Sequence, residues 1–435
     1  MTTTTLDIEK RTVKKVMLRI VPYVFLLYII AIIDRVNIGY AALEMNREIG
    51  ITAEIFGFVS GIFFIGYFLF EIPSNVFLSR FGARKWIARI MVTWGILVIA
   101  EGFVQNGTQL AIVRFLLGIA EAGFTPGVLL YLTFWFRTKD QARAVAYFMS
   151  GMAAANIIGA PFSTWIMENI TWFDLSGWRW IFIIQGIPAI VLGVVTFFYL
   201  TDRPSDATWL DDEERNWLIN ALREDDLKKK ATKNMRFIDV VKDLSVWRLA
   251  AIYLTWVVGL YGIGLWLPTI VRDFPGELSN IQIGLIAIIP YLFGGACMIL
   301  WGTHSDKTGE RKWHTALPLF LGGISLVMLG FVSNPVISVV LLTLTTIGLY
   351  SFMGPFWSVA SVSLSASAAV IGIAIINSVG NLGGFIGPYI VGYLRDLTGQ
   401  MESSLFFLGG VLIIGTAIIT TLNRALLNQA RKDEA

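Results

Sequence analysis

Apolar residues fill long stretches of this chain, and short polar segments separate one stretch from the next. A helix needs about 20 predominantly apolar residues to cross the hydrocarbon core of a bilayer. Twelve stretches have about this length, at residues 18–42, 55–78, 86–105, 108–132, 144–168, 179–200, 247–270, 282–303, 314–333, 336–362, 366–394 and 403–423. The pattern therefore predicts an all-α membrane protein with twelve transmembrane helices.

One long polar segment, residues 201–246, divides the twelve stretches into six and six. Short basic turns containing glycine follow the second and the eighth stretch, NVFLSRFGARK (75–85) and GTHSDKTGERK (302–312). Equivalent turns at equivalent places are typical of an internal repeat. We therefore predict two pseudo-symmetric six-helix bundles, residues 1–200 and 247–435, joined by a cytoplasmic linker that contains an amphipathic helix.

The composition agrees with a membrane location, because only 15% of the residues are charged, against about 25% in soluble proteins. Lys and Arg are concentrated in alternate loops, so the positive-inside rule places both termini in the cytoplasm. The net charge of +3 then reflects topology and does not indicate a nucleic-acid partner. We expect a monomer in a bacterial inner membrane.

Redox, metal and enzyme chemistry have little support in the sequence. Cys297 is the single cysteine and lies in an apolar stretch, so it offers neither a disulfide nor a metal site. His304 and His314 have no carboxylate or thiol partner in the sequence pattern, and we expect solvated loop positions for both. No nucleophile with its base and no metal cluster occurs within the stretches, which argues against an enzyme and against a cofactor.

Charged residues inside the predicted helices are the first candidates for function. On insertion scales each unpaired charge costs about 2.5 to 3.5 kcal/mol at the bilayer centre, so such residues should face protein or a water-filled cavity. In the N-terminal half, Asp34, Arg35, Glu71, Glu101, Arg114 and Glu121 fall inside the predicted helices. Two alternatives stay open, namely structural ion pairs between helices and, for Glu71 and Glu101, simple interfacial positions.

Helical spacing groups some of these charges. Arg114 and Glu121 are seven residues apart and share a helix face, and Gly118 between them would leave space for a ligand. Asp34, Arg35, Arg114 and Glu121 together are neutral when all are ionised. Protonation of one carboxyl would leave a positive site that an anion could neutralise, so proton and anion would bind favourably together.

Neutral polar residues in the spans could complete a binding site. Tyr67 and Glu71 share one face of the second helix, and Asn377 and Asn381 share one face of the eleventh. Trp357 lies in the tenth, although intramembrane Trp often serves only for packing.

These segments together resemble the major facilitator superfamily, and within it the anion:cation symporter family of organic-anion and sugar-acid permeases. The resemblance covers essentially the whole chain and rests on LLYIIAIIDRVNIGYA (26–41), GYFLFEIPSNVFLSRFGARKW (66–86), IVRFLLGIAEAGFTPG (112–127), GWRWIFIIQGIP (177–188), LYGIGLWLPTIV (260–271) and SDKTGERK (305–312). It implies two six-helix bundles around a central cavity that opens alternately to each side of the membrane.

The resemblance also implies roles for individual residues. Asp34 and Glu121 look like the protonatable pair, Arg35 like the ligand of the substrate carboxylate, and Arg114 like the arginine coupled to the acid of the fourth helix. The substrate-binding candidates are Arg35, Arg114, Tyr67, Trp357, Asn377 and Asn381. The gating candidates at the cytoplasmic end are Asp306, Arg311, Glu71 and Arg84.

Two departures from the family pattern affect these expectations. Asn75 and Ser79 stand where the first cytoplasmic turn usually has Gly and Asp, so that gate would be looser or would use Glu71. Met152 and Ile32 stand where sugar-acid carriers can have an amide and a tyrosine. A less hydroxylated, more apolar anion is therefore compatible with the sequence.

The leading hypothesis from the sequence is a proton-coupled symporter of a small organic anion, namely a sugar acid, a hydroxy-carboxylate or an aromatic carboxylate. A sodium-coupled carrier or an anion exchanger on the same fold is the first alternative. A membrane receptor that senses an anion is an alternative of another class, although the linker is too short for an output domain.

Overall fold

The computed structural model describes residues 3–230, 237–363 and 366–422, and it contains helices and no strand within these ranges. Helices predominate because the bilayer core has no water to pair with backbone N–H and C=O groups, so each segment satisfies them internally. The first half contains α1 (Thr3–Glu48), α2 (Ala53–Phe81), α3 (Ala83–Glu101), α4 (Gly107–Glu121), α5 (Phe124–Thr133), α6 (Thr138–Asn169) and α7 (Gly177–Tyr199).

The linker and the second half follow in the same manner. The linker contains α8 (Asp212–Lys230) and α9 (Phe237–Lys242). The second half contains α10 (Leu244–Arg272), α11 (Asn280–Thr308), α12 (Lys312–Leu329), α13 (Pro335–Ser363), α14 (Ala366–Asn381), α15 (Gly383–Thr398) and α16 (Glu402–Thr420).

Outside the linker, these helices form twelve membrane-spanning segments. Helices α4 and α5 together form one broken span, and so do α14 and α15. Eleven helical stretches within the described ranges are long, apolar and poor enough in charge to cross a membrane. The twelfth span is α3, which is 19 residues long. Its first two turns carry Arg84, Lys85 and Arg89, and these residues raise its charge. The predicted fold of twelve transmembrane helices in two bundles is confirmed.

The break between α4 and α5 has a local cause that matters for the site. Gly123 has a φ of 85°, a left-handed conformation that glycine adopts without steric cost. The break ends α4 at Glu121, so this carboxylate lies at a helix C-terminus. The helix dipole disfavours a negative charge there, and Glu121 therefore needs a cation nearby if it is ionised.

The amphipathic linker helix packs on the N-terminal part of α1. The buried Glu214 accepts hydrogen bonds from Arg11 Nε at 3.0 Å and Lys15 Nζ at 2.7 Å. Trp209 precedes α8 and stacks on Trp135, with ring centroids 5.4 Å apart. We call this side of the molecule the linker end, and the opposite side, where α1 and α10 end, the far end.

The two halves contact one another closely at the far end. Backbone from α15 approaches α2 so closely that a Cβ on Gly57 would clash with Pro388. The carboxylate of Asp396 accepts hydrogen bonds from the backbone N–H groups of Ala53 at 3.1 Å and Glu54 at 2.8 Å, and so caps α2 from the other half.

Further contacts between the halves lie at the far end and midway along the helices. At the far end the guanidinium of Arg272 donates to the carbonyl of Leu43, and Asn280 donates to Glu44 at 2.7 Å. Within the described part of the chain, the inter-half hydrogen bond nearest to the linker end joins α14 to α2. The far end is thus the closed end in this structure.

Candidate functional site

Arg35, in the C-terminal third of α1, contacts both halves of the molecule. One nitrogen of its guanidinium donates to the carboxylate of Glu121 on α4, and the other donates to the hydroxyl of Tyr261 on α10 at 3.0 Å. The rings of Phe63 and Tyr67 on α2 each lie 5.4 Å from the guanidinium carbon. A buried cation is therefore held by one carboxylate, one phenol and two aromatic faces.

Asp34 is adjacent in sequence to Arg35 but has a different environment. Its Oδ2 accepts a hydrogen bond from Trp94 Nε1 on α3 at 2.8 Å. Its Oδ1 has no hydrogen-bond partner within the described ranges, and the residue is only 1% exposed. A buried carboxyl that receives one neutral donor and no cation is poorly compensated when ionised, so this position suits a group that binds a proton.

Arg114 pairs with Glu101, and this pairing was not expected. Arg114 Nη1 lies 3.5 Å from Glu101 Oε1, and both side chains are fully buried. Glu121, which shares a face of α4 with Arg114, makes its ion pair with Arg35. Glu101 is therefore not interfacial: it is a buried member of the charge cluster.

Gly118 does not leave space for a ligand, contrary to the expectation from its position on α4. A Cβ there would clash with the backbone carbonyl of Phe63. The absent side chain lets α2 and α4 pack closely. That contact brings Phe63 and Tyr67 to the charged face of α4.

Glu71 and Asn377 meet between the halves on the linker side of Arg35. Asn377 Nδ2 on α14 donates to Glu71 Oε1 on α2 at 2.9 Å, and Glu71 is only 5% exposed. The structure thus brings a residue assigned to gating together with one assigned to substrate binding. Asn381 lies one turn further along α14, just before the break at Leu382.

Aromatic residues of the second half occupy the other side of this region. Trp357 on α13 is half-buried and packs against Tyr253 and Phe356, with centroids 5.0 and 5.3 Å away. A further polar contact between the halves joins Asn156 Nδ2 on α6 to the hydroxyl of Tyr350 on α13 at 3.1 Å.

Sequence reasoning did not identify Tyr261, Trp94 or Tyr350 as site residues. Tyr261 lies in the motif LYGIGLWLPTIV, which carried the family resemblance, so a signal for it was present. For Trp94 and Tyr350 the sequence offers no signal, because a single Trp or Tyr among many apolar residues is expected to serve only for packing.

The remaining gating candidates lie at turns, where they contact their own half or the linker. Arg311 donates to Asp306 at 2.5 Å and to Ser305 at 3.1 Å, and both contacts close the turn between α11 and α12. The backbone N–H of Arg84 donates to Asp202 at 2.8 Å, which ties the start of α3 to the start of the linker. A gating role for these residues stays a prediction.

The two histidines form a cluster with Glu310, which corrects the expectation of two solvated positions. His314 is buried and its ring lies 2.8 Å from Glu310 Oε2 and 2.7 Å from His304 Nδ1. Burial raises the pKa of Glu310, but hydrogen bonds from the backbone N–H of Trp313 and from His314 outweigh burial and hold that pKa below its usual value. Within the described ranges, no group of three or more His, Cys, Asp or Glu side chains could hold a metal ion.

Comparison with known proteins places this chain in a family. Residues 24–388 match the model of the Major Facilitator Superfamily. The chain is 45% identical over 419 residues to a putative tartrate transporter of Agrobacterium vitis, covering 96% of each. It is 37% identical over 426 residues to a quinolone resistance transporter of Acinetobacter baumannii, covering 98% of each.

A solved structure with the same fold is the xylose transporter XylE from E. coli, in a partially occluded inward-open conformation. Its TM-score is 0.74 at 14% sequence identity, and the match covers 93% of this chain and 99% of that chain. The similarity at this identity concerns the fold alone. Family and fold together make the chain an integral membrane carrier and not an enzyme. The chain belongs to the Major Facilitator Superfamily, as its motifs predicted.

Proposed function

We propose that this carrier is a proton-coupled symporter of a small organic anion, and that a hydroxy-carboxylate of the tartrate class is its substrate. The observation that carries the proposal is the pair of partners on Arg35, a carboxylate from one half and a hydroxyl from the other. The relative that is 45% identical and named as a putative tartrate transporter supports this substrate class.

Competition for Arg35 would couple the anion to the proton. A substrate carboxylate that binds Arg35 has to replace the carboxylate of Glu121, because two buried anions beside one guanidinium repel each other. Protonation of Glu121 removes its charge and releases the guanidinium. Proton binding and anion binding therefore favour one another, and the titration belongs to the group of residues as a whole.

Asp34 would supply a second proton-binding group. Asp34, Arg35, Arg114 and Glu121 together are neutral when all four are ionised. Glu101 is buried against Arg114 and adds one negative charge, so the buried cluster of five has a formal charge of minus one. One substrate carboxylate bound beside Arg35 then gives a neutral cluster only after two carboxyls of the protein are protonated. Glu121 and Asp34 are the two candidates, since Glu101 keeps its ion pair with Arg114.

Alternating access would follow from the contacts that cross between the halves. Residues 1–200 and 247–435 would move as two bundles, with residues 201–246 as the linker on the cytoplasmic side. Glu71 and Asn377 would form the gate on the linker side, and Tyr67, Trp357 and Asn381 would line the space beside Arg35. Asp306, Arg311 and Arg84 would hold the turns that move with each bundle.

The test is uptake of labelled tartrate, a sugar acid and an aromatic carboxylate into proteoliposomes. An acidic exterior should accelerate uptake of the true substrate several-fold, and a protonophore should abolish the acceleration. The variant Glu121→Gln should lose accumulation against a gradient but retain exchange of labelled for unlabelled anion, since its site no longer needs the proton. Uptake that ignores the pH gradient would refute proton coupling.

The same vesicles separate the alternatives on this fold. Replacing sodium with choline should leave uptake unchanged for a proton symporter and abolish it for a sodium-coupled carrier. Loading the vesicles with unlabelled anion should be unnecessary for a symporter and essential for an obligate exchanger.

A further inference from the structure

A groove of about 830 Å³ lies between α1 and the start of α6 at the linker end, away from Arg35. Its floor is apolar, formed by Met17, Leu18, Val21, Pro22 and Phe25. Its rim carries Lys10, Lys14 and Arg143. Because the predicted membrane span of α1 begins at residue 18, the floor lies at the depth of acyl chains and the rim at the depth of headgroups.

The rim has a surplus of positive charge. Glu9 accepts hydrogen bonds from Arg137 at 2.9 Å and Lys139 at 2.7 Å, and Arg137 also pairs with Asp140 at 2.7 Å. These four residues neutralise one another. Lys10, Lys14 and Arg143 are the remaining cations of the rim, and no carboxylate of the residues that the structure describes lies within ion-pair distance of them.

The groove lies against the lipid-facing side of α6. On α6, Tyr147 shares a helix face with Ile158 and Trp165, and these three side chains are between 46% and 50% exposed. Exposed aromatic and aliphatic residues on one stripe of a transmembrane helix mark its lipid-facing side. Asn156, which reaches the other half of the molecule, lies on the opposite face of α6.

We propose that this groove is a binding site for an anionic phospholipid. The phosphate would lie among Lys10, Lys14 and Arg143, and one acyl chain would lie on the apolar floor. Basic pockets between transmembrane helices at the cytoplasmic surface bind anionic headgroups in this manner. Tyr147, whose ring lies 5.6 Å from the guanidinium of Arg143, places an amphipathic side chain at the boundary between the two environments.

Native mass spectrometry of the full chain tests the proposal, with phosphatidylglycerol and phosphatidylethanolamine of the same acyl chains as probes. The wild type should retain phosphatidylglycerol preferentially. The variant Lys10→Gln/Lys14→Gln/Arg143→Gln should lose that preference, by about fivefold in affinity for each charge near the surface. The single variant Lys14→Gln should show a smaller loss of affinity for phosphatidylglycerol. It tests the site if the triple variant does not fold.

The matched control is Arg80→Gln/Lys85→Gln/Lys307→Gln, which removes three exposed cations elsewhere at the linker end. It should bind phosphatidylglycerol like the wild type. Equal losses in the two triple variants would overturn the site, because the lipid would then respond to net charge alone. Competition by glycerol phosphate as strong as by the diacyl lipid would also overturn it, since a soluble anion makes no use of the floor.

Discussion

Arg35 holds partners in both halves because a guanidinium presents its donors in a fixed planar fork. Lysine would keep the charge at this position but would carry it on a single nitrogen. It could not reach Glu121 and Tyr261 in the same arrangement, and it could not bind a carboxylate through two parallel hydrogen bonds. The geometry of the donors therefore matters as much as their charge.

The variant Arg35→Lys should consequently bind the substrate anion at least about tenfold more weakly, because it loses one hydrogen bond to a charged group. Isothermal titration calorimetry of the purified carrier with tartrate measures the affinity. Arg80→Lys changes an exposed arginine in the same way and should bind like the wild type. Unchanged affinity in Arg35→Lys would show that the anion binds elsewhere.

The sequence identified the buried charges but not their partners. The cost of a charge in the bilayer singles out Asp34, Arg35 and Glu121 without any structure. Helical spacing correctly put Arg114 and Glu121 on one face, yet each pairs with a different helix. Such pairing depends on how helices cross and rotate, and no local pattern in the sequence records that.

At the scale of elements, close packing of α2 and α4 positions the site. Gly118→Ala would push a Cβ into the backbone of Phe63. Overpacking of this kind costs about 1 to 3 kcal/mol, so we expect a lower unfolding temperature and reduced uptake. Gly410→Ala on α16 is the control, because no heavy atom lies within 4 Å of its added Cβ. Equal unfolding temperatures for the two variants in differential scanning fluorimetry would contradict the packing argument.

The start of α12 offers a prediction about pH. Glu310 accepts hydrogen bonds from the backbone N–H groups of Trp313 at 2.8 Å and His314 at 3.1 Å, and its pKa lies below the usual value. A carboxyl with a lower pKa in the folded state stabilises the fold above its unfolded pKa, and loses this effect as pH falls through the folded pKa. Glu310→Gln should therefore lower the unfolding temperature at pH 7, and the difference from wild type should shrink as pH falls below about 4.3, the pKa of an ordinary Glu.

The expected effect is modest because the Glu310 side chain is 38% exposed and solvent screens its charge. Glu277→Gln in an exposed loop should show no such pH-dependent difference. If Glu310→Gln stays less stable than wild type by the same amount at about pH 3 and at pH 7, the carboxylate charge is not what stabilises α12.

Hydropathy predicted the elements well and their interruptions poorly. The apolar stretches gave every membrane span, since length and apolarity are local properties. The breaks at Gly123 and Leu382 divide spans that were expected to be continuous. Glycine permits the first break, but glycines are frequent in such helices, and the packing around each one decides whether a helix breaks there.

For the whole molecule, the two halves are predictable but their relative position is not. The repeat and the linker follow from the sequence. The cap that Asp396 places on α2, and the contact of Asn377 with Glu71, join residues more than 300 positions apart. A carrier must break such contacts as it alternates, so they belong to one conformation and leave no fixed pattern in the chain.

The central claim is that Arg35 exchanges the carboxylate of Glu121 for that of the substrate as a proton binds. Proton uptake during anion binding tests it most directly, measured by adding tartrate to the purified carrier in weakly buffered solution at pH 7. The wild type should take up protons as tartrate binds, and Glu121→Gln should bind tartrate while taking up about one proton fewer. Tartrate binding with no proton uptake in the wild type, or with the same uptake in both proteins, would contradict the account.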